Sequence, residues 1–141
     1  KDAVKLPVIV NGDICSIEDA RTALAQSGAD GVMIGRGAYG RPWLIAQVMA
    51  ALTGRPVPAD PILAAQWALV REHQGLMLDL YGELNGVNLF RKHLGWYTKG
   101  LHDSAGFRHA VNQEASAARV ADMIDRFYEA RLAAPAASLA A

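Results

Sequence analysis

The sequence is poor in several features that would point to particular classes of protein. Its only cysteine is Cys15, so no internal disulfide can form, which fits a reducing compartment such as the cytoplasm. No apolar run approaches the roughly 18 residues that a membrane-spanning helix needs. Lys and Arg total 14 and Asp and Glu total 14, so the overall charge singles out neither nucleic acid nor membrane as a partner. We therefore expect a cytoplasmic globular protein whose electrostatic sites are local.

Alternating strands and helices are predicted for the first 55 residues. Residues 7–10 form a short, largely β-branched run that enters the loop 11–13, and residues 31–34 form a second apolar run. Between them, Ser16 is placed to cap a helix that ends near Gly28. Strands that are apolar on both faces and are joined through a helix predict a parallel sheet covered on both sides.

Only helices are predicted for the rest of the sequence. One helix is expected from Pro42 to about Leu52, and the Gly- and Pro-rich stretch 53–61 then indicates a domain boundary. Segments with apolar residues at helical spacing follow one another: 61–81, 85–99, 105–112 and 114–132. Their short connections predict a small antiparallel bundle. We expect an α/β domain over 1–55, a helical domain over 56–132 and a disordered tail over 133–141.

Residues 35–40, Gly-Arg-Gly-Ala-Tyr-Gly, fit the dinucleotide-binding pattern G-x-G-x-x-G. That pattern indicates a dinucleotide site only inside a β-α-β unit with an acidic residue about 20 positions further on. No strand is predicted after residue 53, and Asp60 lies at the right distance but in a segment that opens a helix. The sequence therefore disfavours a dinucleotide site.

Gly35, Arg36 and Gly37 are better suited to bind a phosphate group. They stand where a strand gives way to a helix, and exposed N–H groups and the helix dipole favour an anion there. Glycine lets the backbone come close to a phosphate, and Arg36 can add a charge-assisted contact. A common site of this kind lies in the last loops of a β/α barrel, near a short extra helix. The alternative is that the glycines serve only the turn and that Arg36 is solvated.

The loop Asn11-Gly12-Asp13 ends the preceding strand, at the same edge of the predicted sheet. By itself this triplet is a turn signal, in which Asp13 or Ser16 caps the next helix. Two polar loops at the ends of consecutive strands, one of them suited to phosphate, favour a cofactor site at this edge.

Three stretches carry a family resemblance: LPVIVNGDI, GADGVMIGRGAYGRPWLI and NLFRKHLGWYTKGL. In this order they resemble the C-terminal part of bacterial tRNA-dihydrouridine synthases, most closely the B-type branch once labelled a nitrogen-regulation protein. The resemblance runs from about Val4 to Tyr128. Enzymes of this family have an FMN-binding β/α barrel followed by a helical domain, and they reduce the 5,6 double bond of uridines in tRNA with FMN and NADPH. The resemblance implies an α/β remnant, the last two β/α units of a TIM-type barrel, followed by an all-α helical bundle, so that the chain is mostly helical.

The resemblance also implies roles for particular residues. Asn11, Gly12 and Asp13 match the family's loop along the FMN ribityl chain and phosphate, and Gly35 with Arg36 matches its phosphate clamp. The family's general-acid cysteine lies in an upstream loop, so no catalytic residue is expected in this chain, and Cys15 is not assigned that role. We expect the chain alone to be inactive.

Basic residues collect between residues 85 and 110, where four Lys and Arg and three His stand against Asp103 alone. Interleaved with Trp96 and Tyr97, they suit phosphates and unstacked bases, although a solvated helix face over an aromatic core shows the same pattern. Because RKH…WY resembles the tRNA-facing helix of the family, the resemblance favours tRNA contacts and leaves Trp96 for the core. The residues expected to bind tRNA are Arg91, Lys92, His93, Tyr97 and Lys99.

Two functions remain open. The chain is either part of an FMN-dependent enzyme or a stand-alone tRNA-binding helical module without a cofactor or catalytic activity. A third option is that the exposed strand edges of the fragment drive self-association, as unpaired edges tend to. Neither a membrane nor a metal is expected as a partner, since His93 has no Cys or second His at ligand spacing.

Overall fold

The computed structural model describes residue 1 and residues 3–134, which are mostly helical. They divide into two compact units, an α/β unit that ends at Asp60 and a helical unit that begins at Pro61. The elements in chain order are β1 (Ile9–Asn11), α1 (Ile17–Ser27), β2 (Gly31–Met33), α2 (Trp43–Leu52), α3 (Leu63–Tyr97), α4 (Ser104–Gln113) and α5 (Ala117–Ala133). Of the expected tail 133–141, residues 135–141 lie outside the described residues.

The α/β unit has the predicted order of strand, helix, strand and helix. β1 and β2 are parallel, and Val10 lies opposite Val32. β1 begins at Ile9 rather than at Pro7, which has no N–H to donate to a strand ladder. The predicted cap of α1 is confirmed, because the N–H of Asp19 donates to the Ser16 hydroxyl at 3.0 Å.

The sheet is covered on one side only, so the expectation of cover on both sides is wrong for the residues described. The core of the unit consists of Ile14, Ala20, Leu44 and Val48, with Val32 packed against it. On the other side Ile9 and Met33 are 56% and 53% exposed. Both side chains line an open pocket together with side chains of α2, so an apolar surface is left open there.

The last residues of the α/β unit are tied to α2. The carboxylate of Asp60 accepts hydrogen bonds from Trp43 Nε1 at 3.0 Å and from Gln47 Nε2 at 2.8 Å. Gln47 Nε2 also donates to the carbonyl of Pro58 at 3.0 Å, and its side chain is buried. The Pro-rich segment between α2 and Pro61 is therefore held in place rather than loose.

α3 is a helical hairpin rather than a continuous helix. Gly82 interrupts it with φ 72° and ψ 172°, in the gap between the predicted helices 61–81 and 85–99. The two halves run antiparallel, since Gln66 Nε2 donates to the carbonyl of Tyr97 at 2.7 Å. A Cβ at Gly86 would lie 2.8 Å from the carbonyl oxygen of Met77, so glycine is needed at this contact between the halves. The prediction of two helices here is confirmed.

α5 packs antiparallel against the first half of α3. Trp67 Nε1 donates to Asp125 at 2.8 Å, and the Trp67 ring stacks on Tyr128 with 6.3 Å between centroids. At the other end Gln74 Nε2 donates to the carbonyl of Ala117 at 3.2 Å. The largest fully buried side chains of the unit include Tyr128, Phe90, Leu94, Ile124 and Val70. These contacts confirm the predicted antiparallel bundle. Within the described residues, no helix combines the length and the apolar character needed to cross a lipid bilayer.

Candidate functional site

Two loops at the carboxyl ends of β1 and β2 enclose a cavity of about 290 Å³, which we call the loop cavity. Its lining comes from residues 11–15 and 35–37. Because the two strands are parallel neighbours, their carboxyl ends meet at one edge of the sheet. The lining includes all five residues predicted to bind the cofactor: Asn11, Gly12, Asp13, Gly35 and Arg36.

Gly37 lets the two loops come together. A Cβ at this position would overlap the carbonyl oxygen of Ile14 and would lie 2.9 Å from its carbonyl carbon. Gly12 and Gly35 differ, because a Cβ on either would meet no protein atom within 4 Å. Gly37 is therefore required for the contact between the loops, whereas the backbone at Gly12 and Gly35 borders open space.

Arg36 belongs to a single 3₁₀ turn, Arg36–Ala38, and α2 begins only at Trp43. The helix end predicted beside Arg36 is therefore that of one short turn. A single turn aligns few peptide dipoles, so its attraction for an anion is weak. The positive charge that the loop cavity can offer comes mainly from the guanidinium of Arg36.

The guanidinium of Arg36 is paired with Asp13. Arg36 Nη2 lies 3.0 Å from Asp13 Oδ1, and the two side chains are 82% and 88% exposed. Water screens such a pair, so it contributes little to stability and is easily exchanged. Asp13 adopts the left-handed conformation with φ 42°. An anion that enters the cavity must compete with this carboxylate for Arg36.

The helical unit carries a second cavity, of about 730 Å³, which we call the basic groove. The second half of α3 and α4 line it, together with the turn between them. Its charged side chains are Arg91, Lys92, Lys99 and Arg108. Among the described residues that line it, none is acidic, whereas the chain as a whole is balanced in charge. The four cations therefore give this groove a positive local field.

Arg91 is turned partly into the bundle. Its guanidinium donates to Asn88 Oδ1 at 3.0 Å and to the carbonyl of Glu114, and its Nε is buried. Arg91 thus fastens the connection before α5 as well as lining the groove. Lys92 on α3 and Lys99 in the turn after it are exposed, and they are the cations of the groove most open to a polyanion.

His93 and Tyr97, also predicted to contact tRNA, do not line the groove. Tyr97 is only 5% exposed, its hydroxyl lies 3.1 Å from His73 Nδ1, and burial raises the pKa of Tyr97 to about 12. The His93 ring packs edge-on against His73, with 4.7 Å between centroids. Both side chains therefore help to hold the halves of α3 together.

The His73–His93 pair should make the helical unit sensitive to acid. Burial lowers the pKa of both imidazoles from the ordinary value near 6.5, and for His93 the charges of His73 and Lys92 lower it further. The unfolded chain then binds protons more readily than the folded one. The stabilisation is complete above about pH 6.5 and is lost as the pH falls below it. Denaturant unfolding of a His73→Gln, His93→Gln variant should show a flatter loss of free energy between pH 7 and pH 5. An unchanged pH dependence in the His73→Gln, His93→Gln variant would contradict this attribution.

The prediction made for Trp96 from the sequence is wrong. Trp96 was expected in the core, but it is 38% exposed, lines the groove and meets the His93 ring edge-on at 5.2 Å. The buried positions of this half of α3 include Val87, Phe90, Leu94 and Tyr97, which repeat at helical spacing. Position 96 lies next to that buried stripe and not within it. The helical spacing therefore predicts a position for Trp96 at the edge of the core.

The described residues contain no group of three or more His, Cys, Asp or Glu side chains that could hold a metal ion. The candidate sites are thus a loop cavity with one guanidinium at the ends of parallel strands and a basic groove on a helical bundle. They lie on a protein that combines a parallel β/α unit with a helical bundle.

Comparisons with known proteins identify its family. The model of the dihydrouridine synthase (Dus) family matches residues 1–132, so the chain belongs to that family. It is 49% identical over 128 residues to the "Probable tRNA-dihydrouridine synthase" of Rickettsia conorii and 52% identical over 129 residues to that of Rickettsia bellii. These alignments cover 91% of this chain and 39% of each relative. A protein of the same name from Mycobacterium leprae is 45% identical over 75% of this chain. The chain therefore spans about two fifths of the length of the first two relatives, and the resemblance inferred from its motifs is confirmed for the family.

Proposed function

We propose that this chain is the part of an FMN-dependent tRNA-dihydrouridine synthase that supplies two loops for the phosphate end of the cofactor and a surface for tRNA. The observation that carries the proposal is the loop cavity, which gathers all five residues predicted for FMN. The whole enzyme would reduce the 5,6 double bond of a uridine in tRNA, with NADPH as the reductant. The α/β unit would serve the cofactor, and the helical unit would bind the RNA.

The residues of the loop cavity fit a phosphate monoester. Gly12 and Gly35 leave open space beside the backbone, and the Arg36 guanidinium has the planar fork that binds two phosphate oxygens. Asn11 adds an amide that can donate to a ribityl or phosphate oxygen. Bound FMN would supply the hydride chemistry, while these side chains hold and orient its phosphate end. Asp13 would release Arg36 to the incoming phosphate and turn to water.

The α/β unit would be two consecutive β/α units of a larger barrel. Parallel pairing, helices after each strand and functional loops at the carboxyl ends are all features of such barrels. The exposed apolar side chains of Ile9 and Met33 also support this, because a larger sheet and its helices would cover them. A chain that spans 39% of its relatives leaves ample length for the remaining units.

Replacing Arg36 by alanine should weaken FMN binding by roughly 10- to 100-fold, the effect expected for losing a hydrogen-bonded charge. Equilibrium dialysis, with flavin absorbance as the readout, measures the dissociation constant. Arg41→Ala is the matched control, since Arg41 is exposed, lies five positions along the chain and does not line the loop cavity. Equal affinities of wild type and Arg36→Ala would contradict the assignment of the phosphate site.

The second candidate is a tRNA-binding module without a cofactor. It is favoured by one observation, namely that the basic groove lies wholly within the compact helical unit. A purified chain that shifts tRNA in a salt-dependent manner but shows no saturable FMN binding would support this candidate over the enzyme. A chain that binds both tRNA and FMN, and whose affinity for FMN falls in the Arg36→Ala variant, would support the enzyme.

A further inference from the structure

We propose that Trp96 is a stacking platform for one unpaired base of the RNA, so that the basic groove recognises a single-stranded nucleotide and not the phosphate backbone alone. This inference rests on the proposed function, because it assigns a finer role to the same groove. It concerns a residue that the sequence had placed in the core.

The position of the Trp96 ring is the first support. The ring lines the groove and is 38% exposed, beside a lining that holds four cations. An indole forms no ion pair with phosphate, yet its face stacks on any nucleobase. A partly exposed aromatic ring surrounded by cations is the arrangement by which proteins bind single-stranded nucleic acid.

The ring is also supported from behind. His93 meets it nearly perpendicular, with an interplanar angle of 80°, and His93 in turn packs on His73 with 4.7 Å between centroids. His73 is fixed by the Tyr97 hydroxyl at 3.1 Å. This series of ring contacts connects Trp96, in the second half of α3, to His73 in the first half, so less side-chain freedom is lost when a base stacks on it.

The other polar side chains of the groove suit a base as well. Asn88 and Asn112 line it, and a carboxamide can donate to and accept from the edge of a base. In an A-form duplex the bases are stacked on each other and their faces are not accessible. The ligand of this groove is therefore an unpaired nucleotide, with its phosphates near Lys92 and Lys99.

The experiment compares two ligands with equal charge. One is a labelled oligouridine of about eight nucleotides, within the length that one such site covers, and the other is a strand of the same length without bases. Fluorescence anisotropy should show that the wild-type chain binds the oligouridine roughly tenfold more tightly than the strand without bases.

Trp96→Ala should remove this preference and leave the affinity for the strand without bases unchanged, because no phosphate contact is lost. Trp96→Phe, which keeps a ring, should retain most of the preference, and circular dichroism checks that both variants are folded.

Tryptophan fluorescence gives an independent readout. Oligouridine should quench the wild-type emission and that of Trp43→Phe, which changes the α/β unit only, but should quench Trp96→Phe far less. If Trp96→Ala keeps the preference for bases, or weakens both ligands equally, the inference is overturned while the groove remains the RNA site. If a Lys92→Ala, Lys99→Ala variant binds both strands as tightly as the wild type, the groove is not the RNA site and both proposals fall.

Discussion

Replacing Gly37 by alanine should destabilise the α/β unit by about 3 kcal/mol, the upper part of the range for overpacking a tight site. The added Cβ would meet the backbone of Ile14 and lie 3.0 Å from the Cα of Cys15. Backbone atoms cannot rotate away as a side chain can, so the loops must separate. Hydrogen exchange of the α1 and α2 amides reports the loss in this unit alone.

Gly31→Ala is the matched control for that substitution. Its Cβ would lie 3.1 Å from the Cδ1 atom of Ile9, the end of a flexible and exposed side chain. A change of rotamer relieves that contact, so the expected loss is below about 1 kcal/mol. Because the loop cavity is built by the contact at Gly37, Gly37→Ala should also lose FMN binding, whereas Gly31→Ala should keep it. Similar stabilities of the two variants would show that the loops have room to move apart.

Removing the two most exposed cations of the basic groove, in a Lys92→Ala, Lys99→Ala variant, should weaken tRNA binding about 25- to 60-fold at 0.1 M salt. Each phosphate contact releases about 0.7 to 0.9 of a counterion, which at this salt concentration corresponds to roughly five- to eightfold in affinity. The slope of log K against log salt should fall in magnitude by about 1.4 to 1.8 for the same reason. Filter binding or anisotropy at four salt concentrations measures both quantities.

Arg91 is left intact in this design because it also holds the carbonyl of Glu114, so its loss would disturb the bundle as well as the groove. A Lys5→Ala, Arg21→Ala variant removes the same charge from exposed positions of the α/β unit. It should change the affinity less than threefold. Equal effects of the two double variants would mean that tRNA responds to overall charge and not to the groove.

The helix boundaries show what a sequence can predict. A serine with an acidic residue three positions later specifies the start of α1, and Gly28 in the left-handed conformation specifies its end. These signals act within a few residues, so tertiary structure need not be known. Gly82 likewise marks the reversal of α3 because few other residues adopt its conformation.

The candidate sites could be predicted in part. Strand ends of a parallel pair meet by geometry, and so the two polar loops could be expected to lie together. The pairing of Asp13 with Arg36 and the contact at Gly37 could not, since both depend on how two loops 23 residues apart approach each other. In the helical unit, the cluster of basic residues in the sequence predicts a basic surface. The direction of each side chain, however, depends on the rotation of α3 about its axis, and one position along the helix separates exposed Trp96 from buried Tyr97.

The segment that leads to Pro61 has a consequence for where the chain can be divided. Trp43 and Gln47 hold Asp60, and Pro56 and Pro58 restrict the backbone before it. Residues 53–60 are therefore part of the folded α/β unit, although their content of Gly and Pro is typical of a linker. A cut before Asp60 would leave the buried amide of Gln47 without its carboxylate acceptor, so a version of this unit made for experiments should extend through Asp60.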